Sequence, residues 1–137
     1  MLDALTNEVR ASIERAIEHG ADGILYQLYG AEPGHCSPMQ YGGHFLDRDR
    51  ELLGEITDAT ANVLFVVGGE GTYLDFLSDL PAHVFAWDSL STGVSVADIR
   101  AMRNGALATQ SPEADILLLP GLEDLTTTLE KRAFASL

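Results

Sequence analysis

The chain reads as an α/β protein of four or five mainly parallel strands joined by helices. Three observations predict this. Near-continuous apolar runs such as Val63-Leu64-Phe65-Val66-Val67 and His83-Val84-Phe85-Ala86-Trp87 suit strands of a parallel sheet. Segments between them repeat apolar residues at helical spacing. Glycine-rich or polar loops follow the strands, where parallel α/β folds meet their ligands.

The elements follow in order. Leu5, Val9, Ile13, Ala16 and Ile17 mark a helix from Leu5 to His19, with Gly20 at its stop. Gly23 to Tyr29 is nearly continuous in apolar character and suits a strand buried on both faces. Residues 31–43, with two prolines and three glycines, read as a long loop. Phe45 to Ala59 returns to helical spacing through Leu52, Leu53 and Ile56, although Gly54 costs about 1 kcal/mol relative to alanine. Val63 to Val67 is the clearest strand and ends at Gly68-Gly69-Glu70-Gly71, after which Tyr73 to Leu80 forms a short helix.

His83 to Trp87 repeats the pattern, with Asp88 at its end and a polar loop from Ser89 to Gly93. Ser95 followed by Asp98 is an N-cap arrangement for a helix through about Arg103. Gly105 to Thr109 and Ile116 to Leu119 are further strands, and Leu122 to Ala135 is a closing helix. The last two strands start only about ten residues apart, too close for a parallel crossover. The expectation is that one of them is absent or that a helix has been lost.

A length of 137 residues at 46% hydrophobic content supports one domain with a real core, residues 1–137, without a repeat or linker dividing it. Eight Lys and Arg against 21 Asp and Glu give a formal charge of -13, a field that repels phosphate backbones and anionic lipid surfaces. Nucleic acid and membrane are therefore not expected partners. Cys36 is the single cysteine, which fits a reducing cytosol and gives no zinc or dithiol motif. The residues Met1 to Glu8 lack a basic patch before an apolar run, so export is not expected, and no apolar stretch approaches the roughly 20 residues that span a bilayer.

The strand ends supply the candidates for chemistry. Gly68 to Gly71 invites a phosphate-loop reading, but it lacks both GxGxxG and a following Lys-Ser or Lys-Thr, and Glu70 adds negative charge. A plain tight turn is favoured. Asp88, a carboxylate at a strand end, can act as general acid, base or cation partner, or can cap a helix and anchor its loop. His35, Cys36 and His44 bring nucleophile and ligand types to the long loop without zinc spacing, so an exposed loop is favoured. His19 and His83 read as structural, and Met39 and Tyr41 as packing between the loop and the next helix, with Tyr41 able to line a pocket.

The order of these motifs resembles the uroporphyrinogen decarboxylase superfamily, which also includes cobalamin- and methionine-related methyltransferases on a TIM barrel. Glu18-His19-Gly20-Ala21-Asp22-Gly23 is similar to its "AGAD" stretch before a central strand. Cys36-Ser37-Pro38-Met39-Gln40-Tyr41 is similar to its "SP..Y/F" stretch. Asn62 to Gly69, then Tyr73-Leu74-Asp75-Phe76-Leu77, match its strand with a glycine turn, and Ala86-Trp87-Asp88 its "WD" strand end. The match runs from about residue 10 to 112 and covers the carboxyl-terminal half of the family pattern. It departs where the "GNLDP" turn is replaced by Ala108-Thr109-Gln110-Ser111-Pro112, and where the late family histidine falls near Pro120.

The resemblance implies a partial (β/α)8 barrel and a cofactor-independent carboxy-lyase acting on a porphyrinogen acetate or related carboxylate, in tetrapyrrole biosynthesis. Asp88 would be catalytic, and Tyr29, Tyr41, Glu70 and Gln110 would contact substrate. Family methyltransferases carry zinc on a His-x-Cys where this chain has Phe65-Val66-Val67, so a methyltransferase-like role is disfavoured. A chain of 137 residues is too short to close the barrel alone, and the arginine-rich amino-terminal half has no counterpart. A non-catalytic remnant, self-associating through its open sheet edges, is therefore carried beside the enzyme reading.

Overall fold

A computed structural model describes residues 1–111 and 114–118. The expected helix Leu122 to Ala135 and the loop Pro120 to Glu123 lie outside the described residues. One five-stranded sheet runs in the order β1 (Leu25–Leu28), β2 (Val63–Val66), β3 (Val84–Trp87), β4 (Ala106–Ser111), β5 (Ala114–Leu118). The first four strands are parallel, and each neighbours the next in sequence. The sheet is open. The helices are α1 (Leu2–Glu18), α2 (Pro38–His44), α3 (Leu46–Gly54), α4 (Leu74–Leu77), α5 (Ser89–Thr92) and α6 (Val96–Met102).

Both late strands exist, so the expectation that one is absent or a helix lost is corrected. β5 pairs antiparallel with β4, Ala108 opposite Leu118 and Ser111 opposite Ala114, with a register shift between Thr109 and Ser111. An antiparallel return needs only a tight turn, which removes the length conflict.

The register sorts the strand residues into two faces. Tyr26, Leu64, Phe85 and Leu107 form one row and Leu28, Val66, Trp87 and Thr109 the next, both on the helix side. Ile13, Leu53, Leu74, Leu77 and Ile99 from the helices, with Ile56 just past α3, join the apolar residues of these rows in a single core. The opposite face carries Leu25, Gln27, Val63, Phe65, Ala86 and Ala108. Leu25 is 60% exposed there. The expectation that the first strand is buried on both faces is thus corrected, because among the described strands β1 lies at the edge, and the described helices supply their core residues to one face.

Residues 31–43 are not simply a loop. Ser37 accepts from the Gln40 amide while the Gln40 side chain accepts from the Ser37 amide, and Pro38 opens α2. This reciprocal cap offsets the two glycines inside the helix. A second box of the same kind, Ser95 with Asp98, starts α6 as the sequence leads one to expect. α5 occupies part of the expected polar loop, capped by Asp88 and closed by Gly93 at φ 72°.

Two backbone approaches fix the sheet. A Cβ at Gly23 would collide with the Ala61 carbonyl, so only glycine lets the chain enter β1 at this depth. Asn62, buried, accepts from the Ile24 amide through Oδ1 and donates to the Ile56 carbonyl, tying β1 and the α3 exit to the start of β2.

Candidate functional site

Beyond the carboxyl end of β1 lies a cavity of about 240 Å3, lined by residues including Tyr26, Tyr29, His35, Cys36, Tyr41 and Asp49. Tyr26 reaches it from the core row of β1, Tyr41 from the last turn of α2, and Asp49 from the first turn of α3. The Tyr26 hydroxyl donates to one Asp49 oxygen at 2.6 Å, and the Tyr41 hydroxyl donates to the other at 2.9 Å. One carboxyl group is therefore gripped on both oxygens.

Local sequence explains the convergence. The Ser37 cap sets α2 so that Tyr41 turns inward, where it is 2% exposed and stacks on Phe45 at 6.1 Å between ring centres. Asp49 shares its helical face with Leu46, Leu53 and Ile56, so α3 carries a carboxylate inside its apolar stripe. Burial raises the Asp49 pKa above the ordinary carboxylate value, and the two phenol bonds pull it part of the way back. Burial, followed by the neighbouring Asp49 charge, pushes both tyrosines well above the usual phenol value. The phenols stay protonated.

The rim is anchored rather than loose. Tyr73 donates its hydroxyl to the Cys36 carbonyl at 2.6 Å and its amide to the Ala31 carbonyl at 2.8 Å. The Cys36 thiol donates to the Gly30 carbonyl at 3.1 Å. Glu32 accepts from the Gly69 amide at 3.0 Å and lies 3.3 Å from the exposed His35 ring. The glycine turn after β2 thus already holds an anion, the chain's own Glu32. Thr72 folds back onto the Gly69 carbonyl through both amide and hydroxyl, as expected of a plain tight turn.

The sequence candidates divide. Tyr29 and Tyr41 both line the cavity, Tyr29 at 64% exposure with its hydroxyl donating to Gln27. Glu70 is exposed in the glycine turn and does not line this cavity, and Gln110 lies in β4. Asp88 stands at the end of β3, two strands away from β1. Its carboxylate accepts from the Leu90 and Ser91 amides and from the Ser91 hydroxyl at 2.7 Å. Those bonds, the Ser91 amide first, hold it below the usual carboxylate range. This is the loop-anchoring role weighed from sequence, and it favours the ionised form of Asp88, which has no proton to give.

Asp49 and Tyr26 escaped sequence reasoning. Asp49 sits in Asp47-Arg48-Asp49-Arg50, which looks like a solvated charge run. The available signal was its spacing from Leu46, Leu53 and Ile56. Among the described residues no group of three or more His, Cys, Asp or Glu side chains is arranged to hold a metal ion. None of the described helices is long and apolar enough to cross a membrane. The chain matches no protein-family model, and no curated protein or solved structure matches it.

Proposed function

We propose that this chain is half of a (β/α)8 barrel of the uroporphyrinogen decarboxylase class and that it takes a small carboxylated molecule at the carboxyl end of β1. The strand order supports the fold reading. Doubly wound sheets reverse strand order at a switch point and place helices on both faces, whereas a barrel wall runs its parallel strands consecutively with helices outside. β1 to β4 run consecutively, and their helices share one core face.

The single observation that carries the site is the Asp49 carboxyl, held by Tyr26 and Tyr41 beside the cavity. A carboxyl whose charged form is disfavoured stays neutral to higher pH and can donate a hydrogen bond to an anionic ligand. The cavity volume, about 240 Å3, falls below the ~300–1,000 Å3 of pockets for drug-sized ligands, so one acetate-bearing ring or a short acid fits.

In the carboxy-lyase reading, the bond between the ligand methylene and its carboxylate breaks, CO2 leaves, and the electron pair stays on the methylene carbon. Asp49 passes its proton to that carbon, giving a methyl group, and water then returns a proton to the carboxylate. No cofactor is needed in this sequence of steps. The lone Cys36 thiol suits a reducing, cytoplasmic setting.

The test is incubation with uroporphyrinogen, and separately with a monopyrrole bearing one acetate, under reducing and oxygen-free conditions. CO2 release and spectral shifts at Tyr26 and Tyr41 are expected. Asp49→Asn should abolish release, and Asp98→Asn, on the distant α6 cap, should retain it. Release that survives Asp49→Asn but is lost in Asp88→Asn would move the proton donor to β3 and overturn this assignment. Neither release nor shifts at millimolar ligand would overturn the function.

A further inference from the structure

We propose that the open edge of β1 and the groove between β1 and α1 form a docking surface for one extended apolar strand with basic flanks, supplied by another polypeptide and running parallel to β1. The edge supplies the backbone half of the site. In a parallel ladder, alternate residues turn both backbone groups toward the same neighbour. The Ile24 and Leu28 carbonyls accept from the Val63 and Val67 amides, so the even positions of β1 serve β2. The amides and carbonyls of Leu25 and Gln27 consequently face outward, two donors and two acceptors along an edge that carries no lysine or proline to guard it.

The groove supplies the side-chain half. It measures about 440 Å3 and is lined by Glu8, Val9, Ile13, Leu25 and Tyr26, with further residues of the same two elements. Leu5, Val9 and Ile13 form one stripe of α1 at four-residue spacing. Ile13 is buried against the core, while Leu5 and Val9 remain 51% and 42% exposed. The stripe is thus covered at one end only. A helix that precedes a parallel strand packs over it in a right-handed crossover, and among the described residues no strand stands beside β1 on the side away from β2.

Charge selects the occupant. Among the described lining residues Glu8 is the one carboxylate, and none is Lys, Arg or His. A chain of charge -13 repels a second copy of itself. Two copies closing into one eight-stranded barrel would also need the β4 edge, which β5 occupies. A basic-flanked strand from a different polypeptide meets neither obstacle, and its backbone would pair with the outward row of β1.

The probe is an acetylated and amidated octapeptide of alternating valine and threonine with a lysine at each end, titrated into the full chain. Saturable binding is expected, with exchange of the Leu25 and Gln27 amides slowed by at least about tenfold and a glutamate-flanked version binding about tenfold more weakly. Gln27→Pro removes an outward amide, which an edge strand tolerates, and should abolish binding. Val9→Lys, distant from the buried core, should do the same and covers the case in which the proline variant does not fold. Equal binding of the two peptides, binding that leaves both amides unprotected, or a dimer of the chain alone with both amides protected would each overturn the proposal.

Discussion

Tyr26 and Asp49 are joined by a 2.6 Å hydrogen bond that ties the edge strand of the sheet to the helix α3, 23 residues along the chain. Tyr41 completes the grip from α2. Hydrogen bonds to ionised groups contribute about 1.5–3 kcal/mol, so at a pH where Asp49 is ionised Tyr26→Phe and Tyr41→Phe should each destabilise the protein by about that much. The two bonds share one carboxylate and should not be independent. A double-mutant cycle read by urea unfolding should give a coupling of about 0.5 kcal/mol or more. Strict additivity would separate the two phenols energetically.

The same carboxyl sets a pH dependence of definite sign. The folded protein retains the Asp49 proton at pH values where the unfolded chain has lost it, so stability falls as pH rises from about 4 through the raised folded value. Asp88 and Asp98 act in the opposite sense. Their hydrogen bonds, to Ser91 and Ser95 first, lower both pKa values, so their contributions hold above about pH 4 and fade as pH falls through the lowered values. Thermal unfolding across this range should show the descending limb in the native chain and lose it in Asp49→Asn. A profile unchanged by that substitution would contradict the buried, elevated carboxyl.

The two capping boxes differ in how much they hold. Ser95→Ala removes the acceptor for the Asp98 amide at the start of α6 and should cost about 1 kcal/mol in denaturant unfolding. Ser37→Ala has the same local cost, but α2 also delivers Tyr41 to Asp49. This second substitution should therefore disturb Tyr26 and Tyr41 resonances, while Ser95→Ala leaves them in place.

What the sequence disclosed follows from how local each signal is. Val63–Val66 and Val84–Trp87 are strands because β-branched and aromatic residues decide them within a few positions. β1 reads the same way, yet its outward face is exposed, because burial depends on which neighbours pair and cover it. α2 is hidden because Pro38, Gly42 and Gly43 read as breakers, although the Ser37 and Gln40 pair marks a helix start. Tyr29 and Tyr41 were legible as strand-end and loop residues that meet a cavity. Asp49 was not, since its role arises from three elements meeting, and only its place in the Leu46, Leu53 and Ile56 stripe hinted at burial.

Gly23 offers a test of the sheet itself. The Ala61 carbonyl occupies the space of a Cβ, and Ala61 also donates its amide to the Asp22 carbonyl. Gly23→Ala must push apart the approaches to β1 and β2, with a cost of about 1–3 kcal/mol or more, as for other forced overpacking. Gly20→Ala, where a Cβ has open space but φ is 95°, should also destabilise, through backbone strain alone. Only Gly23→Ala should perturb the Asn62 amide, which donates to His83 Nδ1 at 2.8 Å.

Arg103 holds the connection that presents β3. Its guanidinium donates to the carbonyls of Ser78, Leu80 and Ala82 at 2.6–2.9 Å and lies 5.2 Å above the centre of the Phe85 ring. Burial lowers its pKa, with Asp79 partly offsetting the effect, so the side chain pays for desolvation with three carbonyl bonds. Arg103→Met leaves those carbonyls without their donor and should cost about 1–3 kcal/mol, the scale for a buried acceptor left unsatisfied. Arg103→Lys keeps the charge but loses the planar fork that spans three acceptors, so it should fall between the native chain and the methionine variant. Urea unfolding read at Trp87, which neighbours Phe85 in β3 at 5.9 Å between ring centres, checks the order of the three proteins. Equal stability of the lysine variant and the native chain would show that charge, and not the geometry of the fork, holds this turn.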